Sequence, residues 1–140
     1  MSDYILPEVW ENPTSMGGAW GGLNQPTAGA RFEQTLPKGD QPFQLYTLPT
    51  PNGIKATIML EELKELGVTQ AGYDAYRIKI GDGDQFGSDF VSINPNSKIP
   101  AMMDYSEDQP VRVFESANIL LYLAEKFGKL IPTNHAKRTE

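Results

Sequence analysis

The sequence has no cysteine and a single histidine, His135, in 140 residues. Without a thiol there is no disulfide scaffold, thiolate metal site, cysteine nucleophile or CxxC redox pair. One imidazole cannot assemble a zinc site either, so no metal is expected. Positive charge is also scarce: twelve Lys and Arg stand against eighteen Asp and Glu, a formal net charge of −6. A face that binds nucleic acid needs the opposite balance, so no nucleic-acid partner is expected. No apolar run approaches the ~18 residues of a membrane span. The start, MSDYILPEVW, lacks the basic and apolar regions of a signal peptide. These absences predict an acidic, soluble, cytoplasmic domain with no membrane partner.

What is present fits one globular domain: 39% hydrophobic and 21% charged residues at this length. Such a chain buries roughly 68–70% of its unfolded surface, enough for a core without staples. Eleven Gly and Pro crowd residues 1–42, against thirteen in the 98 that follow. No apolar periodicity survives in that first stretch, which therefore reads as an extended arm. It is either a floppy tail or a strap over the domain or a neighbouring subunit. Trp10, Trp20, Leu23 and Phe32 favour packing, because disordered tails are poor in aromatics.

After the arm, Phe43–Leu48 reads as a strand ending in the turn-rich Pro49-Thr50-Pro51-Asn52-Gly53. A helix follows, with Ala56, Met59, Leu60, Leu63 and Leu66 on one face and Gly67 as its stop. Tyr73–Ile80 is a second strand, and a Gly/Asp loop, 81–88, leads to a short helix around Phe90. Ile99–Tyr105 and Val111–Phe114 form a hairpin around an acidic turn. Ser116 opens a second long helix, whose Ala117, Leu120, Leu121, Ala124 and Phe127 repeat the helical spacing, with Gly128 past its end. The order βαβ-(short α)-ββα predicts an α/β, thioredoxin-like mixed sheet flanked by helices. Residues 1–42 are the arm, 43–130 this domain, and 131–140 the start of a linker.

Two phosphate-loop and cation-loop readings fail. Gly81, Gly83 and Gly87 miss the GxGxxG spacing by one position. Asp82 and Asp84 suggest a calcium loop, but Phe86 and Ile93 stand where ligands belong. Three other places carry more chemistry. Thr50-Pro51-Asn52-Gly53 precedes a helix N-terminus, whose N–H groups favour an anion such as a thiolate; a plain turn capped by Asn52 is the alternative. Asn96-Ser97-Lys98-Ile99-Pro100 places a proline at a strand's opening. A cis bond there would offer the Ile99 backbone to an extended peptide, and an ordinary edge proline is the alternative. At Glu115-Ser116, the serine is either an N-cap or, with exposed N–H groups, a carboxylate holder, while Glu115 suits an ammonium.

The SKIP segment (97–100), the FES corner (114–116) and the helix SANILLYLAEKFG resemble the glutathione transferase superfamily. LYTLPTPNGIKATIMLEEL, IKIGDGDQF, INPNSKIPA and the arm's GGLNQP narrow this to the nu class, the YghU-type bacterial disulfide-bond oxidoreductases, over about residues 10–140. The resemblance implies a glutathione site. In it Thr50 and Asn52 act at the glutathione sulfur as catalytic residues, beside Pro51, and Asn24 folds over the site. Gln85 lies near the peptide, and Ile99, before a cis Pro100, pairs with its cysteinyl backbone. Lys98 and Lys79 reach the glycine carboxylate, and Glu115 with Ser116 grips the γ-glutamyl group.

A domain without cysteine cannot perform redox chemistry with its own thiol, so the thiol must arrive with the substrate. The resemblance implies that reduced or oxidised glutathione supplies it, as substrate and co-substrate. The implied activity is reduction of small-molecule disulfides, with transferase or peroxidase side activity, in a homodimer. The protein's share is positioning and thiolate stabilisation. Lowering a thiol pKa by ~2 units takes about 2.7 kcal/mol, and one or two hydrogen bonds to the charge, at about 1.5–3 kcal/mol each, suffice. The resemblance implies a further all-helical domain, absent here and expected to begin about where the sequence stops at Glu140. The contrasting expectation is a non-catalytic glutathione-binding or scaffold module, since fold does not fix function.

Overall fold

The computed structural model describes residues 5, 6, 8, 9, 18, 21–24 and 29–139. Its centre is a four-stranded mixed sheet of β1 (Phe43–Thr47), β2 (Tyr73–Arg77), β3 (Ala101–Asp104) and β4 (Val111–Phe114), in the order β2-β1-β3-β4. β1 pairs parallel with β2, Phe43 opposite Tyr73, and antiparallel with β3, Phe43 opposite Asp104. β3 and β4 close the hairpin, Ala101 opposite Phe114. A short helical turn α1 (Gly21–Asn24) precedes the sheet. The helices α2 (Pro51–Glu65), α3 (Ser88–Ile93), α4 (Ser116–Phe127) and α5 (His135–Thr139) complete the chain. This is the expected thioredoxin-like arrangement.

The strand period of two assigns β1's side chains to two layers. Phe43 and Leu45 enter a core with Ala56, Leu60 and Leu63 of α2 and Ile119 and Leu123 of α4. Tyr46 faces the other side, with Ile78, Phe90, Ile93 and Ala101. Gln44, fully buried on that side, is satisfied: it donates to Gln41 O at 2.6 Å and to Asp74 at 3.1 Å, and accepts the Gly39 N–H at 2.8 Å.

α2 begins earlier than its apolar face suggests, because Thr50 is the N-cap and accepts the Gly53 N–H at 3.2 Å. Pro51, at N1, brings a fixed φ and loses no helical bond there. Asn52 is therefore not the cap. The far end closes as a Schellman motif: the Val68 N–H bonds Leu63 O and the Gly67 N–H bonds Lys64 O, with Gly67 at φ 77°. Leu66, at the C-cap, is exposed rather than part of the apolar face.

In α4 the buried residues are Ile119, Leu123 and Ala124, with Leu120 and Phe127 packed beside them. Ala117 and Leu121, expected on that face, point outward. The helix is apolar almost all round, so several stripes fit a 3.6 period. The one meeting Phe43, Met102 and Val113 of the sheet is buried. β2 ends at Arg77 and β3 begins at Ala101, both shorter than expected, since residues 80–86 coil into two 3-10 turns and Ile99-Pro100 belongs to the preceding loop.

The described end of the arm lies on the domain. Arg31 N–H donates to Phe86 O at 2.8 Å, Ser88 N–H to Phe32 O at 2.9 Å, and Leu36 N–H to Asp89 at 2.8 Å. The Tyr46 hydroxyl donates to Pro37 O at 2.9 Å. Residues 31–37 thus form a strap. Trp10 and Trp20 lie outside the described residues.

Candidate functional site

A cavity of about 290 Å³ opens at the C-terminal end of β1, where α2 begins. Thr50, Asn52, Gln85, Lys98 and Ile99 line it, and Leu23, Ile80 and Ser97 complete its wall. Five expected site residues from three separate segments therefore meet in one place.

Thr50 is half-buried at the rim. Its oxygen accepts the Gly53 N–H, so its hydroxyl proton remains available to a second acceptor. Asn52 is exposed on the first turn of α2, where its Oδ1 accepts from Lys55 Nζ at 3.1 Å. That leaves its amide donor beside a helix N-terminus, whose dipole favours negative charge. Pro51 is exposed between them and lines no part of the wall.

Gln85 lies deepest, 3% exposed. Its Nε2 reaches Ile80 O at 3.4 Å, while its Oε1 finds no partner among the described residues. An unpaired buried acceptor costs about 1–3 kcal/mol, so a donor brought by a ligand is its natural partner.

Lys98 is exposed and its Nζ donates to Leu23 O at 3.1 Å, which ties α1 to the rim. Ile99 is half-buried on the wall. The bond to the buried Pro100 is cis, as the sequence motif implies. Lys79 is exposed and does not line the cavity; its N–H donates to Asp84 at 2.9 Å, which closes the Gly/Asp loop. Asn24 ends α1, and its side chain lies outside the described residues.

Glu115 and Ser116 stand apart from the wall, at the corner between β4 and α4. Glu115 occupies the N-cap position and Ser116 is the first helical residue, and no side chain caps this turn. Ser116 is therefore not the N-cap. The first N–H groups of α4 are left for an anion. Glu115 has φ 69°, a conformation non-glycine residues rarely adopt and one that costs about 1–3 kcal/mol. Its Oε1 accepts from Asn96 Nδ2 at 3.1 Å, which links the corner to the cavity loop.

Sequence reasoning passed over Asn94 and took Asn96 and Ser97 only as parts of the segment before Pro100, with no role of their own. Asn94 is fully buried and supports the loop with both ends of its amide, and Ser97 holds φ 53°. The available signal was two asparagines around a proline ahead of Lys98, a spacing that favours side-chain-to-backbone turns.

Residues 51–126 match the family model described as the glutathione S-transferase N-terminal domain. The disulfide-bond oxidoreductase YghU of Escherichia coli is 61% identical over 98% of this chain and 48% of its own length. A crystal structure of glutathione transferase YghU from Streptococcus pneumoniae, complexed with glutathione, superposes with a TM-score of 0.91 at 65% identity, covering 98% of this chain and 52% of that one. A glutathione transferase family member from Pseudomonas fluorescens, with two glutathione bound, superposes at 0.62 with 44% identity, over 69% of this chain and 41% of that one. The chain spans about half the length of the relatives it matches.

Proposed function

The chain belongs to the glutathione S-transferase N-terminal domain family, and on that premise we propose that it binds glutathione in the cavity at Thr50 and serves a glutathione-dependent disulfide-bond oxidoreductase. The observation that carries this is the convergence of Thr50, Asn52, Gln85, Lys98 and Ile99 on one cavity. That relatives are named disulfide-bond oxidoreductases supports a catalytic reading over a scaffold one.

In this reading Thr50 and Asn52 donate to the glutathione sulfur and favour its thiolate, helped by the α2 N-terminus. Gln85 Oε1 accepts a peptide N–H, and the Ile99 backbone pairs with the cysteinyl unit. Lys98 serves the glycine carboxylate. Glu115 takes the γ-glutamyl ammonium, and the α4 N-terminus with Ser116 takes its carboxylate. Pro100 and Pro51 shape the backbone on either side, and Asn24 covers the sulfur from the arm.

The reaction follows from thiol–disulfide exchange. One glutathione thiolate attacks a sulfur of the small disulfide, forming a mixed disulfide and releasing one substrate thiolate, which takes a proton. A second glutathione thiolate attacks the glutathionyl sulfur, releasing the other substrate thiolate. Glutathione disulfide forms and two electrons pass to the substrate. The relative with two glutathione bound supports this stoichiometry.

Transferase or peroxidase turnover would use the same thiolate. The arm 1–42, the domain 43–130 and the linker 131–140 are the proposed divisions. A homodimer in the cytoplasm, where reduced thiols persist, is the proposed setting. Among the described residues no helix is long and apolar enough to cross a membrane.

The test is thermal unfolding with increasing glutathione, followed by glutathione-dependent reduction of a small disulfide. The expected midpoint rises with ligand, by about 2.7 kcal/mol of stability at a hundredfold excess over Kd. A cooperative transition that neither form of glutathione moves overturns the assignment of the site to this chain.

A further inference from the structure

The loop between α3 and β3 carries a chain of hydrogen bonds that ends on Glu115. Asn94 Nδ2 donates to Lys98 O at 2.6 Å, next to Ile99, and Asn94 Oδ1 accepts the Asn96 N–H at 2.9 Å. The Ser97 N–H returns to Asn94 O at 3.0 Å. Asn96 then leaves the loop, and its Nδ2 donates to Glu115 Oε1 at 3.1 Å. Asn94 is fully buried, so the chain is anchored in the core at one end and reaches an exposed carboxylate at the other.

The chemistry of that last bond is specific. A carboxylate offers about four lone-pair sites on two oxygens, and one neutral amide donor occupies only one of them. Asn96 therefore restricts where the Glu115 carboxylate points while leaving its charge intact. A lysine or arginine there would neutralise the carboxylate, and an aspartate would repel it. A receptor for an ammonium needs a carboxylate of fixed direction and full charge, and the Asn96 contact provides both.

We propose that Asn96 is a positioning residue: held by Asn94, it orients Glu115 to receive the amine of a γ-glutamyl ligand, and so sets the selectivity of this site for ligands carrying that amine. The inference rests on the reading of Glu115 as the amine's partner. Asn94 ties the same loop to the Lys98 carbonyl, so the amine-binding carboxylate and the peptide-pairing edge at Ile99 are held by one brace.

The experiment measures binding of glutathione, and of glutathione lacking the γ-glutamyl amine, to the full chain by calorimetry. The proteins are the wild type, Asn96→Ala, Glu115→Ala and the double variant. Asn96 is exposed, so its truncation leaves the core untouched. The expected result for Asn96→Ala is a rise of about tenfold in Kd for glutathione, with Kd for the deaminated ligand nearly unchanged. The double variant should bind like Glu115→Ala alone, because Asn96 acts only through that carboxylate. Wild-type affinity in Asn96→Ala, while Glu115→Ala weakens glutathione, overturns the brace but leaves the site. Equal weakening of both ligands, or additive losses in the double variant, also overturns it. Wild-type affinity in Glu115→Ala overturns the amine assignment itself, and the brace with it.

Discussion

Because Thr50 accepts the Gly53 N–H through its oxygen, the hydroxyl can serve the helix and a sulfur anion together. Its two duties separate by substitution. Thr50→Ala removes the cap, at about 1 kcal/mol of stability, and, in the proposed site, the bond to the thiolate, at about 1.5–3 kcal/mol. Disulfide turnover should fall about tenfold or more, with a smaller rise in KM for glutathione, while Thr50→Ser stays within about threefold of wild type. Unchanged turnover in Thr50→Ala would remove the residue from the mechanism. Asn52→Ala should move the same way if, as proposed, its amide donates to the sulfur while its Oδ1 accepts from Lys55. These residues were legible because Thr-Pro-Asn before a helix is a local pattern. Gln85 was legible only through the family resemblance. That its Nε2 is engaged and its Oε1 has no partner among the described residues depends on where the 3-10 turn places Ile80 O.

The placement of α2 against β1 decides where the Thr50 hydroxyl stands. Gly53 makes the approach possible: a Cβ there would overlap the Leu48 carbonyl oxygen and come within 2.5 Å of Thr47 Oγ1. Gly53→Ala should therefore lower the unfolding midpoint, by about 1–3 kcal/mol of stability, and weaken glutathione as the first turn moves. A variant with wild-type midpoint and affinity would show that this contact does not set the site. The inward face of α2 was readable because Ala56, Met59, Leu60 and Leu63 recur at helical spacing and all are buried, while Ile54 and Ile58, off that stripe, are exposed. α4 was not readable in the same way. Where Ala117, Ile119, Leu120, Leu121, Leu123 and Ala124 crowd one helix, spacing permits several faces, and packing against α2 and the sheet chooses Ile119 and Leu123.

Across the whole molecule, stability is linked to pH through groups remote from the cavity. Burial pushes the Asp104 carboxyl up, but hydrogen bonds from Ser106, Tyr122 and Lys126 outweigh it and hold it below its usual value. Its contribution is therefore complete above the unfolded pKa of about 3.9 and is lost as pH falls through the lower folded value. The opposite sign holds at Tyr122, pushed up to about 12 by burial and by its 2.7 Å bond to Asp104. Burial also raises Tyr46 and Tyr73 to about 12, with Glu61 adding to the effect at Tyr73. Lys126 is lowered by burial but raised further by Glu107 and Asp104, a net rise. Stability from these raised groups is present below about pH 10 and declines as pH climbs through their folded values. Ultraviolet titration should show Tyr46, Tyr73 and Tyr122 ionising near pH 12 and Tyr76 also above its ordinary value, with unfolding setting in on the same limb. Asp104→Asn should flatten the acid limb, and an acid limb identical to wild type would remove Asp104 from that linkage.

The sequence by itself determined the order of elements, the polar turn before α2, the proline that opens the hairpin and the absence of any thiol of its own. Each of these is written in neighbouring residues, through helical spacing, turn chemistry or the plain lack of cysteine. Tertiary structure decided which face of α4 is buried, which residue caps α2 and which polar atoms are left for a ligand. It also brought Asn96 to Glu115, nineteen positions away in the chain. Local propensity has no information about such distances. Chain reversal at the α3–β3 loop and the pairing of β3 with β4 create the contact, and both depend on the sheet being assembled.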